Sequence, residues 1–169
     1  MLLFWRRPWL RLSLVAFLLL TIQTTLCTDM KPLGQTVDLM LLVSCVAGLV
    51  GGPQSGALSG FVFGVAFDFV LVSPFGVSAL TYGLVGFAVG YAQTITLEPT
   101  WYLYSAITAV AGALGVLLLA IVEQVLGPKG PFPRDILTAM LVMGVTGGVL
   151  APLVVPVQRW CLGIKRKIV

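Results

Sequence analysis

Long apolar stretches, broken by proline and glycine clusters, are the feature that most constrains how this chain can fold. Hydrophobic residues make up 59% of its 169 residues and charged residues only 9%, and the mean hydropathy is +1.06. A soluble domain is roughly 45–50% apolar and about 25% charged, so lipid must surround most of this surface. The stretches are continuous and do not alternate in twos, which excludes a barrel of strands.

The apolar stretches predict an all-α membrane protein with six transmembrane helices. A helix needs about 20 mostly apolar residues to cross roughly 30 Å of hydrocarbon. Only about four residues join the second span to the third and the third to the fourth, so these helices must be antiparallel neighbours. We expect one compact integral membrane domain over residues 1–169. The predicted spans are about 10–27, 37–51, 55–72, 76–93, 101–126 and 136–158.

The basic residues predict the orientation in the membrane. Seven of the ten lie in the two tails, and Lys31, Lys129 and Arg134 fall in loops that six spans would place on the opposite side. Because Lys and Arg accumulate in cytoplasmic segments, we expect both termini in the cytoplasm and a multi-pass protein of the cell inner membrane. The net charge of +4 then indicates anchoring to a lipid bilayer and its anionic headgroups, not binding of nucleic acid. The seven tail residues are Arg6, Arg7, Arg11, Arg159, Lys165, Arg166 and Lys167.

The sequence contains no constellation typical of an enzyme. It has no histidine, no GxSxG motif and no phosphate-binding glycine loop. Its cysteines, Cys27, Cys45 and Cys161, form no CxxC pair. We therefore expect no catalytic residue, no metal site and no cofactor.

A row of small residues runs along the third predicted span. Gly56, Gly60, Gly64 and Asp68 follow one another at intervals of four, and each step rotates by about 40° around the helix. Glycines in such a row let another backbone approach closely in lipid. The row predicts a close contact between the third and fourth spans, a docking groove for the helix of another protein, or both. The matching small residues of the fourth span are Ala79, Gly83, Gly86 and Gly90.

Asp68 is the most informative single residue of the sequence. Placing a carboxylate at the centre of a membrane helix costs about 2.5–3.5 kcal/mol of insertion free energy, so such a residue needs an explanation. It lies near the predicted outer end of its span, which reduces this cost. Thr81, Tyr82 or backbone amides could bond the carboxylate and make it a cap. The alternatives are a contact for partner binding or gating, and a proton or ion relay, for which Glu123 near the end of the fifth predicted span is the only other candidate.

Residues 56–91 resemble the central block of the MreD family of rod shape-determining membrane proteins. That block has a glycine-rich helix ending in Gly-x-x-x-Asp, a short turn, an Ala-Leu-x-Tyr motif and a second helix with spaced glycines. The matching residues here are Gly60, Gly64, Asp68, Pro74, Gly76, Ala79, Leu80 and Tyr82.

The resemblance implies a non-enzymatic scaffold of the bacterial elongation machinery, which supports peptidoglycan synthesis and rod shape. It implies MreC as the main partner, bound through packing of helices, with MreB, RodA and a class B penicillin-binding protein nearby. The family is also similar in fold to the S-components of vitamin transporters, so a small-molecule-binding transport subunit is the alternative function. The first loop could supply polar residues for such a site, namely Thr28, Asp29, Lys31, Gln35 and Thr36.

Overall fold

The computed structural model describes residues 8–29, 37–70, 76–95, 101–126 and 135–163. These ranges contain five helices and no strand, so the predicted all-helical class is confirmed. The helices are α1 (Pro8–Asp29), α2 (Leu39–Asp68), α3 (Val77–Ile95), α4 (Trp101–Leu126) and α5 (Ile136–Leu162).

The prediction of six spanning helices is not supported. By length and composition alone, three helices of the described residues qualify as candidate membrane spans: α2, the Tyr102–Val125 part of α4, and α5. The length of α2 is, however, divided by a kink at Gly52. The second and third predicted spans, 37–51 and 55–72, both fall largely within the single helix α2. The two ends of the chain, residues 1–7 and 164–169, lie outside the described residues. The cytoplasmic position of the termini therefore stays a prediction.

Helix α2 bends sharply at Gly52. This residue has φ 80° and ψ −176°, a conformation that glycine adopts without a steric penalty, and Pro53 then lacks the N–H needed to continue the helical bonding. A Cβ built on Gly56 would lie 2.7 Å from the Cα of Gly48, whereas residues eight apart in a straight helix are about 12 Å apart. The two arms of α2 therefore lie side by side.

The lengths of the two arms explain why neither counts as a span of its own. Residues 39–51 and 53–68 extend about 20 Å and about 24 Å at 1.5 Å per residue, which is less than the roughly 30 Å of the hydrocarbon core. The predicted spans 37–51 and 55–72 leave a gap between them, and the kink at Gly52 and Pro53 lies in that gap. The structure does not support counting each arm as a complete crossing.

The first arm of α2 forms the centre of the bundle. Residues 40–49 are buried without interruption, and α2 contacts all four other helices. The arm is apolar around its whole circumference, and such a helix is stable only when it is covered on every side. The second arm adds Phe63 to this core, and α3 adds Tyr82.

The beginning of α1 and the end of α5 meet at one end of the bundle. Nη1 of Arg11 donates a hydrogen bond to the carbonyl oxygen of Trp160, at 3.0 Å. The guanidinium carbon of Arg11 lies 5.0 Å from the centroid of the Trp160 ring. The opposite ends of α1 and α5 consequently lie toward the other end of the bundle.

Candidate functional site

The glycine row of α2 packs directly against the backbone of α3. A Cβ added to any of the three glycines would lie less than 3.0 Å from main-chain atoms of α3, closer than real Cβ atoms come. Only glycine fits at these positions. The close contact predicted between the third and fourth spans is therefore present as the α2–α3 pair. The nearest partners are Gly86 for Gly56, Tyr82 for Gly60 and Ala79 for Gly64.

The glycines of α3 all face α2, but the contact does not require glycine at every one of these positions. A Cβ on Gly86 would collide with the carbonyl group of Gly56, and one on Gly90 would lie 2.5 Å from the main chain at the α2 kink. Gly83 is different, because its Cβ would lie 3.5 Å from the nearest atom, the carbonyl oxygen of Ala57. Gly83 has room for a side chain, although its spacing in the sequence resembles that of its neighbours.

Asp68 caps the beginning of α3. The residue is 3% exposed, and its Oδ2 accepts hydrogen bonds from the amides of Gly76 at 2.8 Å and Ala79 at 3.3 Å. Its Oδ1 accepts a third, from the amide of Ser78 at 3.2 Å. The first N–H groups of a helix lack partners within the helix, and a carboxylate is favourable beside them. Of the roles predicted for Asp68, the capping role is the one observed, with backbone amides as donors.

The turn that carries these amides depends on Gly76. Its φ of 101° lies in the left-handed region, which a residue with a side chain rarely adopts. Pro74, predicted as part of the same turn, lies outside the described residues. Leu80, which follows Ala79 in the motif, is 49% exposed and stays a prediction as a packing residue.

A second carboxylate joins three helices, and the sequence analysis missed its partners. Asp38 caps α2 by accepting a hydrogen bond from the amide of Leu41 at 3.1 Å. It also accepts bonds from Nε2 of Gln23 at 3.3 Å and from the hydroxyl of Tyr82. Oε1 of Gln23 in turn accepts a bond from the amide of Met40, at 3.2 Å. An aspartate directly before an apolar run is a signal for an N-cap. The sequence does not reveal, however, that side chains of α1 and α3 also bind this carboxylate.

The position of Tyr82 gives a physical reason for the tyrosine in the Ala-Leu-x-Tyr motif. Its side chain is fully buried, and its ring packs 6.0 Å from that of Phe67. A buried hydroxyl needs a hydrogen-bond partner, and Asp38 provides it. Tyr82 thereby links α3 to the beginning of α2, while Asp68 links the end of α2 to the beginning of α3.

An apolar groove of about 770 Å³ lies between α3 and α4. Small-molecule sites have a few polar groups that fix the orientation of a ligand, and this groove is lined by twelve residues that are all apolar. It is therefore suited to a lipid chain or to an apolar helix. The lining residues are Leu84, Val85, Phe87, Ala88, Val89, Ala92, Ala106, Ile107, Val110, Ala111, Leu114 and Leu118.

The family model for the rod shape-determining protein MreD matches residues 7–156 of the 169-residue chain. No curated protein and no solved structure matches this chain. The similarity in fold to the S-components of vitamin transporters therefore stays a prediction. The matched range includes the glycine row, both capping carboxylates and the groove. Since the match extends over most of the chain, this protein belongs to the MreD family of rod shape-determining membrane proteins.

Proposed function

We propose that this protein is a non-enzymatic membrane scaffold of the elongation machinery, and that the groove between α3 and α4 receives the transmembrane helix of MreC. Membership of the family implies a role in determining rod shape. The observation that carries the finer proposal is the wholly apolar lining of the groove. MreB, RodA and a class B penicillin-binding protein are proposed as further members of the assembly.

The packing of α2 favours this groove over the glycine row as the docking surface. The row at Gly56, Gly60 and Gly64 is already covered by the backbone of α3. A partner helix could reach these glycines only by displacing α3, which would expose the amides capped by Asp68. The opposite side of α3 faces the groove and requires no such rearrangement.

The side chains of the groove suit the packing of one more helix. Lipid tails are as apolar as leucine, so helices associate in a bilayer through close van der Waals contact and not through the hydrophobic effect. Ala88 and Ala106 are small and exposed, on facing helices, and they would let a partner backbone come near. Phe87 and Val110, 47% and 61% exposed, would contact the sides of that helix.

A single bulky residue in the groove tests this proposal. We expect Ala88→Trp to reduce co-purification of MreC roughly tenfold, which corresponds to about 1.4 kcal/mol of binding energy. The matched control is Val145→Trp, which places the same side chain at a position of α5 that is 65% exposed and outside the groove. Equal recovery of MreC with both variants would contradict the assignment of the groove.

We also infer that both basic tails lie on the cytoplasmic side. The bond between Arg11 and Trp160 supports placing the two ends of the chain on the same side, and the seven basic tail residues favour the cytoplasm. Green fluorescent protein fused to the C-terminus should fluoresce, and alkaline phosphatase fused there should be inactive. The opposite pair of results would reverse the proposed orientation.

The alternative function, a vitamin-binding subunit, has less support. The groove provides no polar side chain to orient a vitamin. The candidate polar residues of the first loop, at 28, 29, 31, 35 and 36, fall outside the described side chains. A thermal shift caused by a water-soluble vitamin would revive this alternative.

A further inference from the structure

We propose that α2 is a re-entrant hairpin whose tip, at residues 51–55, stops inside the bilayer and faces a water-filled recess. The two arms of α2 enter and leave the membrane on the same side. The recess opens on the other side, at the end of the bundle where Arg11 and Trp160 meet. The proposal concerns the placement of the chain in the membrane and does not depend on the docking of MreC.

The neighbouring helix α3 extends further toward this side than the tip does. A Cβ on Gly90 would lie 2.5 Å from the main chain of Gly52 and Pro53, so the tip is level with Gly90. Helix α3 continues to Ile95, which is about 8 Å beyond that level at 1.5 Å per residue. The arms of α2 agree with this depth, because they fall about 6–10 Å short of the hydrocarbon core.

Exposed side chains indicate that the hydrocarbon extends past the tip. Ile95 is 69% exposed, and an exposed isoleucine is favourable in lipid but not in water. Tyr102, near the start of the next helix, is 59% exposed, and tyrosine is enriched at the interface of membrane and water. We infer that the ends of α3 and α4 mark the surface of the bilayer and that the tip of α2 lies below it.

The backbone of the tip requires polar surroundings. At the break at Gly52, the last carbonyl groups of the first arm and the first amides of the second arm lose the partners that a continuous helix gives them. A backbone group without a partner costs several kcal/mol in hydrocarbon. Irregular backbone at membrane depth is therefore tolerated only where protein covers it or water reaches it.

Protein covers only part of the tip. Helix α3 covers it at Gly90, and α5 covers it at Leu162, whose Cδ1 would lie 2.9 Å from a Cβ on Gly51. A Cβ on Gly52 would meet no atom of the described residues within 4 Å. Gln54 is exposed, and its amide would be costly to hold in hydrocarbon. Water is the partner that satisfies the uncovered groups.

Labelling of single added cysteines in membrane vesicles tests the recess. We expect Gln54→Cys to react with a membrane-impermeant maleimide roughly tenfold faster than Leu58→Cys, because the maleimide attacks the thiolate, which forms in water but not in hydrocarbon. Leu58 lies one turn further along the same arm and is 51% exposed, so the two positions differ mainly in what surrounds them. Ser55→Cys, a nearly isosteric change at the tip, should react as Gln54→Cys does. The unaltered chain gives the background rate.

A third position separates a recess from a thin bilayer. Ile95→Cys should react as slowly as Leu58→Cys, although it lies about 8 Å nearer to the surface than the tip. Equally fast labelling of Ile95→Cys and Gln54→Cys would place the surface of the bilayer at the tip, beside Tyr91, which is also 59% exposed, and would overturn the proposal. Slow labelling of both tip variants would overturn it as well.

The side from which the label enters reports the orientation. The tip should react in inverted vesicles, whose outer surface is the cytoplasmic one, and not in spheroplasts. The reverse result would support the recess and contradict only the cytoplasmic orientation proposed above. Ala88→Trp combined with Gln54→Cys should keep the fast labelling, so the failure of the groove proposal leaves the recess intact.

Discussion

The two sides of α3 differ in how they meet their neighbours. Toward α2, small residues such as Gly86 and Gly90 bring the two backbones into direct contact. Toward α4, larger residues such as Leu84 and Phe87 line an open groove, about half exposed. On the side of α3 that faces α2, small residues thus allow tight packing within the protein. On the side that faces α4, larger apolar residues remain partly uncovered. We infer that stability depends on the first side and partner binding on the second.

The largest effect is expected where a side chain would enter the α2–α3 contact. Gly60→Ala should destabilise the protein by about 3 kcal/mol, because overpacking a rigid contact costs typically 1–3 kcal/mol and sometimes more. Gly83→Ala is the matched control, since its Cβ has 3.5 Å to the nearest atom and alanine favours a helix. Unfolding by a denaturing detergent would measure the stability of both variants. Equal stability of the two would contradict the conclusion that the α2–α3 contact requires glycine at position 60 but not at position 83.

The next largest effect should come from the cap of α3. Asp68→Ala leaves three amides without their acceptor, and a buried unsatisfied group costs about 1–3 kcal/mol. We expect a loss of about 2–3 kcal/mol in the same unfolding measurement. Asp68→Asn keeps one of the two oxygens as an acceptor and should lose less. If Asp68→Ala were as stable as the native protein, the carboxylate would have a role other than capping.

A smaller effect should follow from the removal of one hydroxyl. Tyr82→Phe deletes the bond to Asp38 but keeps the ring and the other hydrogen bonds of the carboxylate, so we expect a loss of about 1 kcal/mol. Tyr91→Phe on the same helix should change the unfolding free energy by less, because Tyr91 is 59% exposed. An equal loss in both variants would argue against a stabilising link between α3 and the beginning of α2.

The smallest effect on stability is expected in the groove. Ala88→Trp should change the free energy of unfolding by only about 0.5 kcal/mol or less, as is usual for exposed positions, although it should weaken MreC binding. Stability comparable to that of Gly60→Ala would mean that α3 and α4 close against each other, and that the groove is part of the core.

The sequence predicted the α2–α3 contact because glycines at intervals of four specify one face of a helix. It predicted the break at Gly52 but not its consequence, since counting apolar residues does not reveal that each arm is too short to be a complete span. The network at Asp38 was missed because Gln23 and Tyr82 are 15 and 44 residues away in the chain. The groove was missed because the hydropathy of a residue does not show whether another helix or lipid covers its side chain.

Photocrosslinking to MreC tests the central claim most directly. A benzoyl-phenylalanine at Phe87, in the groove, should form a crosslink to the transmembrane helix of MreC in native membranes. The same residue at Phe17 of α1, which is 74% exposed and outside the groove, should form little or none. A crosslink at Phe17 with none at Phe87 would contradict the proposal that the open side of α3 is the surface that binds the partner.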